Sequence, residues 1–233
     1  MKHLQLIVVL FAVAILSSCN SGAETTLNTG GGSAGIWTIP GIGTIYLFQD
    51  GDPNGSGQTQ STTLTVSSVG QHMNGKTNVV GLTETSSDSS GSQNNGIFYY
   101  AIEPNGDISL RDSSSSGIKW TTYPTGSRTT ISDPRIDSIT SFGEHIIQTS
   151  TRSYVASENV TTLAGTFAAI HITETSFSLF KDSIGSFADS SLNVSDFWFT
   201  PSIGFFAKVV ESSISNGQPS FTAETDLIRY TPH

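Results

Sequence analysis

The stretch Ile97-Phe98-Tyr99-Tyr100-Ala101-Ile102-Glu103-Pro104-Asn105-Gly106-Asp107-Ile108-Ser109-Leu110-Arg111-Asp112 decides the fold class. Two short runs rich in β-formers flank Pro104-Asn105-Gly106. An Asn-Gly pair between apolar runs is a strong hairpin signal, because a two-residue turn needs positive φ at both central positions. Working outward, β-rich runs and turn residues keep alternating in both directions, which predicts an all-β chain. Strands are expected over 44–49, 61–69, 77–85, 97–103, 107–112 and 118–123, then over 144–155, 166–175, 196–200, 205–212 and 221–230. Within 166–175, Ala168, Ile170 and Ile172 fall on one face and Ala169, His171 and Thr173 on the other. Period-two alternation of this kind marks an antiparallel sheet with one buried and one wetter face. Residues 86–96 and 112–117 read as loops.

One segment breaks the β rhythm. Phe177, Phe180, Ile184 and Phe187 recur at spacings of 3, 4 and 3, a helical stripe that would lay aromatics against a sheet. Gly185 lies inside it and costs up to ~1 kcal/mol of helix propensity relative to Ala. The fold class expected is therefore all-β or β-rich α+β, a single curved antiparallel sheet with one short helix.

Composition narrows the partners. Charged residues make up 12% of the 233-residue chain, about half the usual share of ~25%, and Ser, Thr, Gly and Asn fill the gap. The formal charge is −9, and no basic run compensates it, so a phosphate backbone would be repelled and nucleic acid is excluded as a partner class.

The N-terminus carries an address. Lys2 precedes an unbroken apolar run of eleven residues, Leu6 to Leu16, which ends in Leu16-Ser17-Ser18-Cys19. Such a run is too short to span ~30 Å of hydrocarbon as a helix but fits the apolar core of a signal peptide. Cys19 is the only cysteine. This arrangement resembles the lipobox of bacterial lipoproteins. The resemblance implies cleavage before Cys19, a lipid thioether on its sulfur, and anchoring of the mature protein to a membrane of the cell envelope, with the outer membrane expected. Residues 20–35 read NSGAETTLNTGGGSAG, with Leu27 the single large apolar residue, and are expected to form a flexible tether reaching about 20–24 Å. The domain organisation expected is signal peptide 1–18, lipidated Cys19 with tether to 35, and an antiparallel β domain over 36–233.

Candidate chemistry is sparse. Asp50-Gly51-Asp52-Pro53-Asn54-Gly55 matches the opening of a calcium loop, in which Asp50, Asp52 and Asn54 would offer hard oxygen ligands at alternate positions. The twelfth position is Ser61 in place of the bidentate Glu, so a plain hairpin turn is the stronger reading. His171 and Glu174 form H-x-x-E, but positions i and i+3 of a strand face opposite sides and cannot share a metal. Glu144-His145, as neighbours, are separated in the same way. Two catalytic motifs occur by their letters alone: Gly31-Gly32-Ser33-Ala34-Gly35 reads G-x-S-x-G, and Gly70 to Thr77 reads G-x-x-x-x-G-K-T. The first lies in the Gly/Ser-rich tether and the second between the strands expected over 61–69 and 77–85, so neither has the strand-to-helix setting that a nucleophile elbow or a phosphate loop needs. No cofactor is expected and the chain reads as a non-enzyme. The remaining lead is the aromatic cluster Phe197, Trp198, Phe199, Phe205 and Phe206, which forms either a packed sheet core or the lining of a concave apolar binding face.

Trp198-Phe199-Thr200-Pro201-Ser202-Ile203-Gly204 resembles a W-[FY]-x-P-x-[VI]-G turn found near the end of envelope domains of unknown function with lipoprotein-carrier-like half-barrels. Ala164-Gly165-Thr166-Phe167 resembles the A-G-T-F that opens a strand in that family, and Leu227-Ile228-Arg229-Tyr230 fits a closing strand. Two departures stand out: Leu163 sits where the family often has Pro, and Lys208 comes one position late. The resemblance covers residues 155–230 and implies a curved half-barrel around a helix with a lipid-binding hollow; no catalytic residue transfers with it. The function expected is non-enzymatic binding of a hydrophobic small molecule, a lipid or an envelope partner by a lipid-anchored protein. The alternatives are a structural or adhesive surface lipoprotein, suggested by the Ser/Thr-rich surface, and an envelope hydrolase, which needs converging carboxylates such as Asp50, Asp52 or Glu103.

Overall fold

Fifteen strands are present in a computed structural model of the chain, which describes residues 25–27, 37–51, 60–87, 93–114, 117–126, 129–139, 145–182, 184 and 186–233. The first half holds β1 (Thr25–Leu27), β2 (Trp37–Ile39), β3 (Ile45–Gly51), β4 (Gln60–Met73), β5 (Lys76–Ser87), β6 (Gln93–Ile102), β7 (Ile108–Ser114) and β8 (Gly117–Tyr123). The second half holds β9 (Thr130–Ser132), β10 (Ile136–Ile139), β11 (His145–Thr162), β12 (Gly165–Lys181), β13 (Phe187–Thr200), β14 (Phe205–Ser215) and β15 (Gln218–Thr231).

β3 to β15 make one 13-stranded antiparallel sheet in the order β10-β11-β12-β13-β14-β15-β3-β4-β5-β6-β7-β8, with β9 beside β11. Nearly every pairing joins sequence neighbours through a hairpin. The exceptions are the short β9 beside β11 and, spanning the whole domain, β15 against β3, which couples the C-terminal strand to the first long one: Tyr230 opposes Tyr46 and Thr225 opposes Asp50. Register shifts interrupt the ladders at Tyr154/Ala156, Trp198/Phe199, Ser213/Ile214 and Leu227/Arg229. Each extra residue bends its strand and tightens the twist, which curls so wide a sheet into a nearly closed barrel.

The seam between β8 and β11 closes through side chains. Arg152, on β11 and 1% exposed, donates Nε to the Thr122 carbonyl of β8 at 2.6 Å. Its fork grips Asp133 at 2.9 and 2.6 Å, and Nη1 reaches Glu174 on β12 at 3.2 Å. Tyr123 of β8 donates its hydroxyl to the other Glu174 oxygen at 2.8 Å, and Ser150 donates to Glu174 at 3.0 Å. A buried guanidinium is tolerated only if acceptors and counter-charge are supplied, and here two strands and a loop supply them through Thr122, Glu174 and Asp133.

One end of the barrel is filled. Trp37, Tyr46, Tyr100, Phe199, Phe205, Ile172 and Leu227 are all at most 2% exposed and pack there. The Pro201–Gly204 turn folds under β2: Thr38 N–H donates to the Pro201 carbonyl at 2.9 Å, and Tyr46 donates its hydroxyl to the Ile203 carbonyl at 2.7 Å. Gly204 has φ +71°, and a Cβ there would lie 2.2 Å from the Thr38 carbonyl oxygen, so only glycine lets the turn approach β2.

The all-β expectation holds, and so does the curved antiparallel sheet. The short helix does not form: Phe177 and Phe180 lie on β12, paired on both sides with β11 and β13, and no helix occurs among the described residues. Ile184 sits at the hairpin tip, where the Asp182 carboxylate accepts the Ile184 and Ser186 amides at 3.1 and 2.8 Å. The helical spacing was coincidental, and two flanking ladders outweigh it. The Asn105-Gly106 turn also differs in type. Gly106 has φ +88°, but Asn105 is not in the left-handed region and Pro104, by its ring, cannot be, so the loop has three residues with Gly106 donating to the Glu103 carbonyl at 2.8 Å. Two-residue turns with both residues left-handed occur instead at Asn74-Gly75 (φ 49°, 80°) and Asn216-Gly217 (φ 48°, 74°). Within the expected tether, Thr25–Leu27 pairs antiparallel with Trp37–Ile39. The expected loops are shorter than read, since β5 and β6 run into 86–96 and β7 and β8 into 112–117. Cys19, the export segment, Asp52 and Asn54 lie outside the described residues.

Candidate functional site

The opposite end of the barrel is open. Between the walls of β3, β4, β5, β6, β13 and β14 is a cavity of ≈ 260 Å³ whose floor and sides are mainly Phe48, Leu64, Phe98, Phe197, Phe205 and Phe206. The rings form one continuous surface: Phe205 and Phe206 have centroids 4.1 Å apart, Phe48 meets Phe206 at 5.2 Å, and Phe98 meets Phe205 edge-on at 5.9 Å. Such tilted and edge-to-face pairs add stability beyond the area they bury.

Three carboxylates complete the wall: Asp50, Glu84 and Glu211. Local sequence explains their aim. Tyr46, Phe48 and Asp50 occupy alternate positions of β3, so all three face the interior, and Val80, Leu82 and Glu84 do the same on β5. On β14, Val209 is followed two residues later by Glu211. Each strand thus carries buried apolar side chains up the interior and ends the row with an acid. Burial raises the pKa of all three. For Glu84 the charge of Asp50 adds to the rise, and for Glu211 the charges of Asp50 and Glu174 do. Asp50 alone has a hydrogen bond to offset this, from the Thr225 hydroxyl at 2.6 Å. Among the described residues lining the cavity there is no Lys, Arg or His.

The aromatic cluster read from the sequence is divided by the sheet. Phe197, Phe205 and Phe206 line the hollow. Phe199 lies in the packed core, 1% exposed and stacked on Phe197 at 5.9 Å. Trp198 points to the outer face, stacks on His171 at 4.4 Å and donates its indole N–H to Glu158 at 2.7 Å. His171 also lies 3.0 Å from Asp196, while Glu174 faces the seam, so the two members of H-x-x-E are on opposite faces as expected for a strand. Of the calcium candidates, Asp50 faces the hollow, and no group of three metal-ligating side chains occurs among the described residues. Asp50 and Glu103 do not converge: Glu103 lines a separate shallow recess, where it accepts from Lys76 and Ser109, each at 2.5 Å. Glu84 and Glu211 escaped the sequence reading. Their signal was the acid placed two residues beyond an inward apolar side chain, which is detectable once strand register is known.

No family model and no curated protein matches the chain. Its fold is similar to that of a candidate lipoprotein from Parabacteroides distasonis, at 14% identity over 81% of this chain and 95% of that one, with a TM-score of 0.54. A candidate exported protein with a YmcC-like fold from Bacteroides fragilis shares 14% identity over the same proportions, with a TM-score of 0.47. At this identity the first likeness shows a shared barrel fold.

Proposed function

We propose that the chain is a lipid-anchored protein of the bacterial cell envelope, held at the outer membrane, that binds a hydrophobic ligand in the open end of its barrel without transforming it. The observation that carries this reading is the phenylalanine-lined cavity, open at one end above a fully packed core. Apolar concavity with a few polar groups at its margin is the usual form of a small-ligand site. The lipobox resemblance at Cys19 supports the location, and so does the likeness in fold to the candidate lipoprotein from Parabacteroides distasonis. Native mass spectrometry tests it, on the chain from Ala23 onward purified from cells and then denatured to release passengers. A stoichiometric apolar passenger is expected. A clean ligand-free mass that stays unchanged after incubation with envelope lipids would remove the reading.

A hydrolase remains the second reading because Asp50, Glu84 and Glu211 converge on one cavity with raised pKa values, a pattern that also occurs in acid–base sites. It requires turnover of a glycoside or ester substrate that Glu84→Gln or Glu211→Gln abolishes. Turnover that survives both substitutions would eliminate this site as its source.

A further inference from the structure

The hollow is apolar below and anionic above, and that order selects a ligand. An ordinary fatty acid seated tail-down would bring its carboxylate against Asp50, Glu84 and Glu211, with no basic side chain among the described lining residues to receive it. Like charges brought together in a partly desolvated site repel strongly, which disfavours such a ligand. A ligand of the opposite head-group charge meets complementarity at every level. Its tail covers Phe48, Phe98 and Phe206, its cation is held between the three acids, and the neighbouring ring faces attract the cation through their quadrupoles. From the cavity and its charge pattern we infer that the site takes a cationic amphiphile, a molecule with one apolar chain or small ring body and an ammonium head; this rests on the binding reading above and names its ligand class.

Three further observations agree. The acids have no ion-pair partner among the described residues, whereas Asp133, Glu103 and Glu224 each have a basic side chain within 2.9 Å. Carboxylates beside phenylalanine rings are costly to keep unless something offsets their desolvation. A bound ammonium would supply that offset, and their raised pKa values are what acids without a counter-ion should show in its absence. The chain's net charge of −9 adds a field that draws cations and repels anions over longer range. The volume, ≈ 260 Å³, lies just below the range of about 300–1,000 Å³ typical of drug-sized ligands, so a single chain fits and the head stays in the opening.

Isothermal titration calorimetry at pH 7.5 tests the inference on the chain from Ala23 onward, with four probes below their micellar concentrations: dodecyltrimethylammonium, dodecanol, dodecanoate and tetramethylammonium. Dodecyltrimethylammonium is expected to bind at least tenfold more tightly than dodecanoate and than tetramethylammonium. The double variant Glu84→Gln/Glu211→Gln is expected to lose most of that preference while keeping its affinity for dodecanol. Because both substitutions remove buried charge, the variant should fold, and a thermal melt confirms it. If dodecanoate or dodecanol binds as tightly as the cation, the ligand class is wrong and the hydrophobic site stands. If tetramethylammonium equals its tailed analogue, the acids act as an ion-exchange surface and the inference fails. If no probe binds, both the ligand class and the binding reading fall.

Discussion

Two regions of the same barrel interior hold acidic side chains under opposite conditions. At the seam, Asp133 and Glu174 face a guanidinium that is itself buried, and each of its three nitrogens has a partner. In the hollow, Asp50, Glu84 and Glu211 face aromatic rings and one another. The electrostatics follow the partners. Hydrogen bonds from Arg152 hold the Asp133 carboxyl below its ordinary range, with the charges of Arg152 and Lys119 adding to the effect, whereas burial pushes the three hollow acids up. A buried carboxylate that closes a strand gap strengthens the fold, and one that lines a cavity weakens it. The second kind persists where it serves something other than stability.

The largest effect expected is at the seam. Arg152→Met keeps the bulk of the side chain but strips the counter-charge from Asp133 and Glu174 and the donor from the Thr122 carbonyl. Removing one partner of a buried ion pair typically costs about 3–5 kcal/mol. For a chain of this size that corresponds to a fall in Tm of roughly 6–20 °C, at about 2–4 °C per kcal/mol. A loss under ~1 kcal/mol in urea melts would show that the seam is a surface-like contact and that the barrel does not depend on it.

The seam was hidden from the sequence, while the sheet was not. Every long strand from β3 to β15 was found, because alternation and turn residues are local. Their ends were read too short: β11 runs to Thr162 and β13 starts at Phe187, through Ser- and Asn-containing stretches that resemble loops by composition. Those residues stay in register through backbone pairing with neighbours on both sides, which composition does not report. Arg152 carries no local signal, because Asp133 and Thr122, which close around it, are 19 and 30 residues away in sequence. Glu84 and Glu211 were passed over for the same reason: whether an inward acid meets a cation or a phenylalanine is set by strands distant in sequence. Trp198 shows the converse. Its place beside Phe197 and Phe199 suggested a shared cluster, but the pleat sends it to the outer face, against His171.

A smaller effect of opposite sign is expected in the hollow. Glu84→Gln and Glu211→Gln each remove a half-buried charge that has no counter-ion among the described residues, while keeping size and hydrogen-bonding capacity. Each should stabilise the ligand-free protein at neutral pH by about 0.5–1 kcal/mol, the usual yield of relieving an unfavourable charge. Urea midpoints of the wild type and the two variants, compared at constant m-value, read this directly. Loss of stability in either variant would mean that the acid is satisfied in the fold after all, and the contrast between the two regions would disappear.

The subtlest effect is a split in the pH dependence, and its two limbs can be removed one at a time. For the hollow acids the folded pKa lies above the unfolded value, so the folded state takes up protons first. Their destabilising contribution is fully present at neutral pH and is relieved as pH falls toward the ordinary values of 3.8 for Asp and 4.5 for Glu. For Asp133 the folded pKa lies below 3.8, so its stabilising contribution is present above that value and is lost as pH falls through the folded pKa. Stability should therefore rise as the pH is lowered from 7 toward the carboxylate range and drop once Asp133 is protonated. The Glu84→Gln/Glu211→Gln double variant should flatten the rise and leave the drop. Arg152→Met, which removes the cause of the Asp133 depression, should lower the whole curve and make the drop shallower. Tm measured at half-unit intervals from pH 7 to pH 3 separates the cases: a wild-type curve that falls monotonically from pH 7 would show that the hollow acids are not held up by burial, and it would undercut the charge pattern on which the cationic ligand depends.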